Sequence, residues 1–285
     1  MLDARTRRDV LPNLPGVGYK PQHLTDILAN SGAVAWLEIH AENYMGAGGP
    51  PHAQLRKLRD LLPISCHGVG LSIGGELPLD LDHIARLKSL INWLQPAQFS
   101  EHLAWSTHEI GYLNELLPVP YNATTVRRVA DHIDQVQTAL GRTMLLENPS
   151  AYLAFKETTM SETHFLREIA AKTGCGLLLD INNVHISSVN QQFDALSYID
   201  DFPLEMVGEI HLGGHVKETD SSGDLLLIDT HSTAVVDPVW NLYGEVIHRA
   251  GAKPTLIEWD NDVPDWPVLA QEAQHAATIL SRVNA

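Results

Sequence analysis

Cysteine is nearly absent. Cys66 and Cys175 are the only two thiols in 285 residues. Two thiols do not make a disulfide framework, and they offer no thiolate cluster for copper(I) or an iron–sulfur centre. Basic residues are scarce as well. There are 19 Lys and Arg against 35 Asp and Glu, a formal net charge of −16. Phosphate affinity rests on Lys and Arg, so nucleic acid is not an expected partner. No apolar run is long enough to span a bilayer, which removes a membrane partner from the expectations. The opening segment MLDARTRRDVLPNLPG has charges but no apolar core of the kind a secretory signal needs. A reducing cytoplasm is therefore the default expectation. Internal repeats, low-complexity tracts and linkers are also missing.

What the chain does have is apolar content and histidine. Hydrophobic residues make up 44% of it and charged residues 19%, ample for a full core, and there are fifteen histidines. An anionic chain of this kind suits the holding of cations or of a basic partner. Eight short apolar or β-rich runs recur, at 16–19, 35–39, 62–66, 98–100, 143–146, 176–179, 206–210 and 254–257. Helical patterns separate them, at 22–31, 52–61, 81–94, 123–140, 161–172, 191–199, 238–249 and 266–283. Ser161 and Pro238 are placed as helix starts, and Gly32, Gly141, Gly174 and Gly251 as stops. Eight strand–helix alternations on a chain of this length predict an α/β fold, a single (β/α)8 TIM barrel over 1–285 with a short amino-terminal extension over 1–15. Two connections, 104–122 and 213–237, are longer than a barrel needs. Both would lie on the carboxyl-terminal face, where barrel active sites are built.

The stretch GLLLDINNVH at 176–185 shows how a site would be made. An unbroken apolar run reads as a strand buried on both faces. It stops at Asp180 and opens into Asn182, Asn183 and His185. A turn is the bland alternative, since Asp and Asn favour turns. The same ending recurs elsewhere. His67, His102, Glu147, Asp180, His211 and Glu258 each follow a strand, and a barrel would bring all six to one mouth. Its long loops could add Asn183, His185, Asp229, His231 and His215. Any one of these could be a satisfied core histidine or a capping acid. Together they predict a polynuclear metal site.

Imidazole and carboxylate ligands without thiolate suit iron, manganese or zinc. Neutral histidines with three or four acids can balance two or three divalent ions. Glu147 could bridge neighbouring ions. Cys66 abuts His67, but adjacent strand residues face opposite ways, so Cys66 is expected behind the site.

The segments SCHGVGLSIG, FSEHLAW, LLENPS, LLLDINNVH, EIHLGGH, DTHS and IEWD, in this order, resemble the signature segments of the multinuclear non-heme iron-dependent oxidative enzymes. The resemblance runs from about Gly16 to Glu258. It implies a xylose-isomerase-like barrel with two or three irons, mixed-valence when active. It implies His67, His102 and Glu147 around one iron, and Glu147, Asp180, His211 and Glu258 around a second. His185, Asp229 and His231, with Asn183, would hold a third. Glu147, Asp229 and His231 are the residues expected to act in catalysis. The implied reaction uses O2 to oxidise a residue, cysteine above all, in a ribosomally synthesised precursor peptide. A separately encoded recognition partner is implied with it, and the long loops would frame the peptide's path.

Rival readings stay open on the residues alone. Zinc phosphodiesterases and two-metal sugar isomerases use similar barrels and ligands. A nuclease should present a basic groove, which this charge balance disfavours. A sugar isomerase usually wants a lysine near the metals, and no Lys ends a strand in the sequence. A non-catalytic metal-binding protein is the third reading.

Overall fold

The computed structural model describes residues 9–109 and 111–282. Residues 1–8 of the expected extension, and position 283 of the expected last helix, lie outside the described residues. In chain order the strands are β1 (Pro15–Gly18), β2 (Trp36–His40), β3 (Ile64–Gly68), β4 (Gln98–His102), β5 (Trp105–His108), β6 (Gly111–Leu117), β7 (Leu145–Glu147), β8 (Gly176–Asp180), β9 (Val207–Gly213), β10 (His215–Thr219), β11 (Leu225–Asp229) and β12 (Thr255–Glu258). The helices are α1 (Leu24–Ala29), α2 (Pro50–Arg59), α3 (Leu81–Leu94), α4 (Ala123–Leu140), α5 (Glu162–Thr173), α6 (Ile181–Asn190), α7 (Ala195–Asp201), α8 (Asp237–Ala250) and α9 (Trp266–Ser281).

Strands β1, β2, β3, β4, β7, β8, β9 and β12 close into a parallel barrel in chain order, β12 pairing back onto β1. A helix follows each, so the expected (β/α)8 architecture is the one observed. The main apolar core lies between barrel and helices, where Leu37, Ile39, Cys66, Phe99, Leu146, Leu177 and Leu179 meet the inner helix faces. Cys66 is fully buried there, on the outward side, as the alternation of strand side chains requires.

Several barrel strands run one or two residues further than their apolar runs. Backbone pairing continues regardless of side-chain polarity, so His40, His67, His102, Glu147, Asp180 and His211 lie within strands. The register sets neighbours side by side: His40 with His67, His102 with Glu147, Asp180 with His211. Trp36 and Leu256 form a small apolar cluster with Leu11, apart from the main core. Above these two, in β2 and β12, come Glu38 and Glu258.

Two expectations change. The stretch 181–190 is neither open loop nor turn but helix α6, which begins directly after β8; the helix expected over 191–199 is instead α7, a turn later. Asp180 is the cap of α6, its Oδ1 accepting the Asn183 N–H at 2.6 Å. The long connections are not plain loops either. Each carries an antiparallel hairpin, β5–β6 after β4 and β10–β11 after β9. Smaller shifts occur at the ends. Helix α1 stops at Ala29, so Gly32 lies beyond its cap, whereas Gly141 and Gly174 cap α4 and α5 in left-handed geometry.

Candidate metal centre

Histidines 67 and 102 meet Glu147 at the upper end of the barrel. Nε2 of each imidazole lies 3.3 Å from Glu147 Oε2, and the two nitrogens are 3.4 Å apart. Around one tetrahedral ion with bonds of about 2.0–2.1 Å, neighbouring donors lie about 3.3–3.4 Å apart. The outer nitrogens fix the ring orientations. His67 Nδ1 is 2.7 Å from Ser100 Oγ, and His102 Nδ1 is 3.3 Å from the Gly68 carbonyl. A carbonyl only accepts, so with a metal ion bound His102 Nδ1 would carry the proton and its Nε2 would present the lone pair. Glu147 Oε2 is buried without a hydrogen-bond partner. Lone pairs and a carboxylate gathered in a buried space need a cation. These residues fit a metal ion.

Glu147 turns its other oxygen the opposite way. Its Oε1 lies 3.9 Å from His211 Nδ1, which is 3.2 Å from Glu258 Oε2. Glu147, Asp180 and His211 form a second group whose donor atoms all lie within 4.8 Å of one another. Asp180 Oδ2 is buried and unpartnered, its other oxygen being used by the helix cap.

Asp180 and Glu258 also face His231, forming a third group. His231 Nε2 is 2.8 Å from Asp229 Oδ1, and its Nδ1 is 3.4 Å from Glu258 Oε1. His231 adopts a left-handed backbone, φ 46°, which a histidine takes up only when its surroundings hold it there. Its N–H donates to the Gly214 carbonyl, and its carbonyl accepts from the N–H groups of Asp260 and Asn261. The paired glycines after His211 leave room for this loop. A Cβ on Gly213 would stand 2.8 Å from the His231 ring, and one on Gly214 only 2.1 Å from the Thr233 carbonyl oxygen.

Asn183 and His185 are placed differently. Asn183 Nδ2 donates to the Asn148 carbonyl, while its Oδ1 is buried and free. His185 lies against His215, the rings tilted by 40° with centroids 5.2 Å apart. His215 pairs with Asp229 across the β10–β11 hairpin, and Asn182 links their side chains by contacts of 2.8 and 2.9 Å. His185 therefore belongs to none of the three compact groups.

Four further acids and histidines beside these groups escaped the sequence constellation. Glu38, Glu209 and His211 form one compact group; His40, Glu258 and Asp260 form another. The signal was alternation: Glu38 and His40, and Glu209 and His211, are pairs two residues apart on one strand and so share the barrel interior, while Asp260 lies two residues past the end of β12. Lys20 is a correction. It ends no strand, yet it lies two residues past β1 and pairs with Asp260. A lysine does stand at the mouth, so the sequence argument against a sugar isomerase loses its premise.

The charges respond to this crowding. Burial pushes the Glu147 carboxyl up to about 7, against the pull of His102 and His211. Burial likewise raises Asp180 well above the usual carboxylate range, with Glu147 and Asp229 adding to it. Glu258 is opposite: burial alone would raise it, but His231 and His211 hold it at about 2. Burial disfavours charge on His102 too, but Glu147 and Glu101 outweigh that and raise it to about 9. Burial and the neighbouring imidazoles His102 and His211 keep His67 well below its ordinary value. A cavity of about 190 Å³ opens beside the centre, lined in part by Tyr19, Lys20, His40, Tyr44 and Asp260.

The family model described as RiPP precursor modification enzyme MbnB/TglH/ChrH matches residues 14–281. The chain belongs to this family. Among curated proteins, the UPF0276 protein RB0508 of Rhizobium meliloti (strain 1021) is 55% identical over 270 residues, covering 94% of this chain and 87% of its own. A UPF0276 protein of Paraburkholderia phytofirmans is 51% identical over 276 residues, covering 97% of this chain and 89% of its own. Among solved structures, an L-ribulose 3-epimerase superposes with a TM-score of 0.61 at 15% identity, covering 94% of this chain and 95% of that one. A xylose isomerase-like TIM barrel protein from Mycobacterium smegmatis, solved with magnesium, gives 0.58 at 10% identity and covers both chains fully. These two likenesses establish a xylose-isomerase-like TIM barrel and nothing of the chemistry. Family membership establishes an enzyme acting on a precursor peptide.

Proposed function

We propose that this enzyme uses iron and O2 to oxidise a residue, cysteine above all, in its precursor peptide. The observation that supports this most is Glu147, whose two oxygens face two separate histidine groups. Such a carboxylate would hold two ions as neighbours. His67, His102 and Glu147 would hold one. Glu147, Asp180, His211 and Glu258 would hold the next. Asp180, Glu258, His231 and Asp229 surround the place for a third, with Asn183 Oδ1 free nearby. Manganese and zinc suit the same donors.

Adjacent iron ions would supply the electron transfer to O2 and a binding place for a substrate thiolate. The protein's own residues do the rest. Ser100 and the Gly68 carbonyl fix two imidazoles so that Nε2 of each points at Glu147. The apolar layer of Trp36 and Leu256 closes the barrel below. The 190 Å³ cavity beside the centre would be the way in for the substrate side chain. Lys20 holds Asp260 at its rim and offsets charge where the peptide enters.

Holding a long flexible peptide costs ordering entropy. A separately encoded partner would bear part of that cost, and the hairpins β5–β6 and β10–β11 would frame the path between the two proteins. A cytoplasmic location and one barrel domain over the whole chain complete the reading. Among the described residues no helix is long and apolar enough to cross a membrane.

The test is reconstitution. Protein purified without oxygen is analysed for metal, then given Fe(II), O2 and a candidate precursor, with and without the neighbouring protein. A mass change in the peptide that needs both iron and O2 supports the proposal. Equal activity with zinc and no oxygen requirement would move the enzyme to the hydrolase class.

A further inference from the structure

His211 differs from the other two strand histidines in what stands behind it. The far nitrogen of His67 meets a hydroxyl, and that of His102 meets a carbonyl at 3.3 Å, with one carboxylate oxygen of Glu101 further off at 3.8 Å. The far nitrogen of His211 meets two carboxylates. Its Nε2 lies 3.5 Å from Glu38 Oε2 and 3.5 Å from Glu209 Oε1. Both acids come from the barrel wall, Glu38 from β2 and Glu209 from the same strand as His211, two residues earlier. Ser65 Oγ donates to the second Glu209 oxygen at 3.1 Å and fixes that side chain. All four residues are 0–2% exposed, and Glu38 also lines the 190 Å³ cavity. Glu38 Oε2, Glu209 Oε1 and His211 Nε2 are each buried without a partner of hydrogen-bond geometry. One proton on Nε2 would serve all three atoms.

The geometry points to Glu38 and Glu209 as positioning residues that take the Nε2–H of His211 and so leave its Nδ1 lone pair for the metal centre. A neutral imidazole has one proton and one lone pair. Nδ1 faces Glu258 at 3.2 Å and Glu147 at 3.9 Å, and an ion shared by these donors would displace the proton that the metal-free contact with Glu258 places there. Two carboxylates at 3.5 Å, where His102 has one at 3.8 Å, hold the proton on Nε2. A carboxylate partner also makes the opposite nitrogen a stronger donor than a hydroxyl or carbonyl partner does. The ions on either side of Glu147 are then unequal, and the ion on His211 is held more tightly. This inference rests on the metal reading proposed above.

The same three side chains are compact enough to hold an ion themselves. The experiment separates the two roles. The full chain is stripped with chelator and titrated with Co(II), reading stoichiometry, affinity and the visible bands, for wild type, Glu38→Gln, Glu209→Gln and the double variant. Each Gln variant should keep the wild-type stoichiometry, bind one ion about 10- to 100-fold more weakly and shift one set of bands. Unchanged affinity and bands overturn the inference. So does loss of one whole ion with the rest unaffected, because Glu38 and Glu209 would then be ligands. Wild-type protein that binds no Co(II) overturns the metal reading itself.

A second measurement needs no variant. In Zn(II)-loaded protein with ¹⁵N-labelled histidine, NMR should place the His211 proton on Nε2. A proton on Nδ1 overturns the inference even if every variant unfolds.

Discussion

Asp180 accepts the Asn183 backbone N–H with one carboxylate oxygen, at 2.6 Å, and turns the other, buried and unpartnered, toward His211 and Glu147. The helix cap thereby aims the metal-facing oxygen. Asparagine caps a helix about as well as aspartate, whereas alanine costs about 1 kcal/mol. Asp180→Asn should therefore leave the metal-free protein about as stable as wild type and still lose metal. Asp180→Ala should lose metal and also about 1 kcal/mol of stability. Chelator-treated melts and metal analysis of both variants check this. Full metal loading in Asp180→Asn would free that oxygen from a ligand role.

Glu147→Gln should do more damage than loss of a histidine that serves one group. Altering an outer partner of a metal ligand typically costs 10- to 100-fold in affinity or activity. A carboxylate facing two groups should cost at least about 100-fold in turnover. Metal content and turnover are measured together, beside His102→Ala. Normal turnover at full loading would remove Glu147 from the shared position.

Metal-free protein should melt lower as pH rises from 5 to 9. Burial raises Glu147 to about 7 and Glu209 to about 8. Their protonated forms favour the fold fully below the unfolded value, about pH 4.3, and that contribution is lost as pH climbs through 7 and 8. His102, raised to about 9 by Glu147 and Glu101 against its burial, adds to the loss above about pH 6.5. Glu258 works the other way: His231 and His211, outweighing burial, hold it at about 2, and its contribution is lost only as pH falls. Metal ions replace the protons, so the stabilisation by added metal should grow from pH 6 to pH 8. A metal-free melting temperature flat over this range would show that these acids are not held protonated.

How far the sequence could be read depended on which property carried the information. The barrel strands were legible because each is an apolar run that a polar residue interrupts. His67, His102, Glu147, Asp180, His211 and Glu258 were legible because they end those runs. Helix α6 was not. INNVHISSVN is rich in residues with poor helix propensity, and its helix depends on the Asp180 cap and on burial of Ile181, Val184 and Ile186. Glu38 and Glu209 sit inside strands rather than at their ends, so only alternation betrays which way they face. Lys20 was invisible because its contact with Asp260 spans 240 positions. The hairpins read as loops because exposed two-stranded pieces carry little apolar patterning.

The loop that carries His231 should be the weakest part of the centre, and Gly213 offers a way to disturb it without removing a ligand. Asp229 closes a hairpin, and His231 follows in a left-handed turn. Loops hold ligands less rigidly than strand ends do. Asp229→Ala should therefore lose one metal per chain and keep the others. Gly213 has no left-handed backbone of its own, so alanine there meets no φ penalty; what it meets is the His231 ring, at 2.8 Å. The ring must move a few tenths of an ångström or more, which disturbs its contacts with Asp229 and Glu258. Gly213→Ala should then reproduce the metal loss of Asp229→Ala, with both donors still present and the barrel still folded. Metal analysis and a chelator-treated melt of the two variants side by side check this. Wild-type metal content in Gly213→Ala would mean that the loop adapts, and that His231 is not held in place by the glycine beside it.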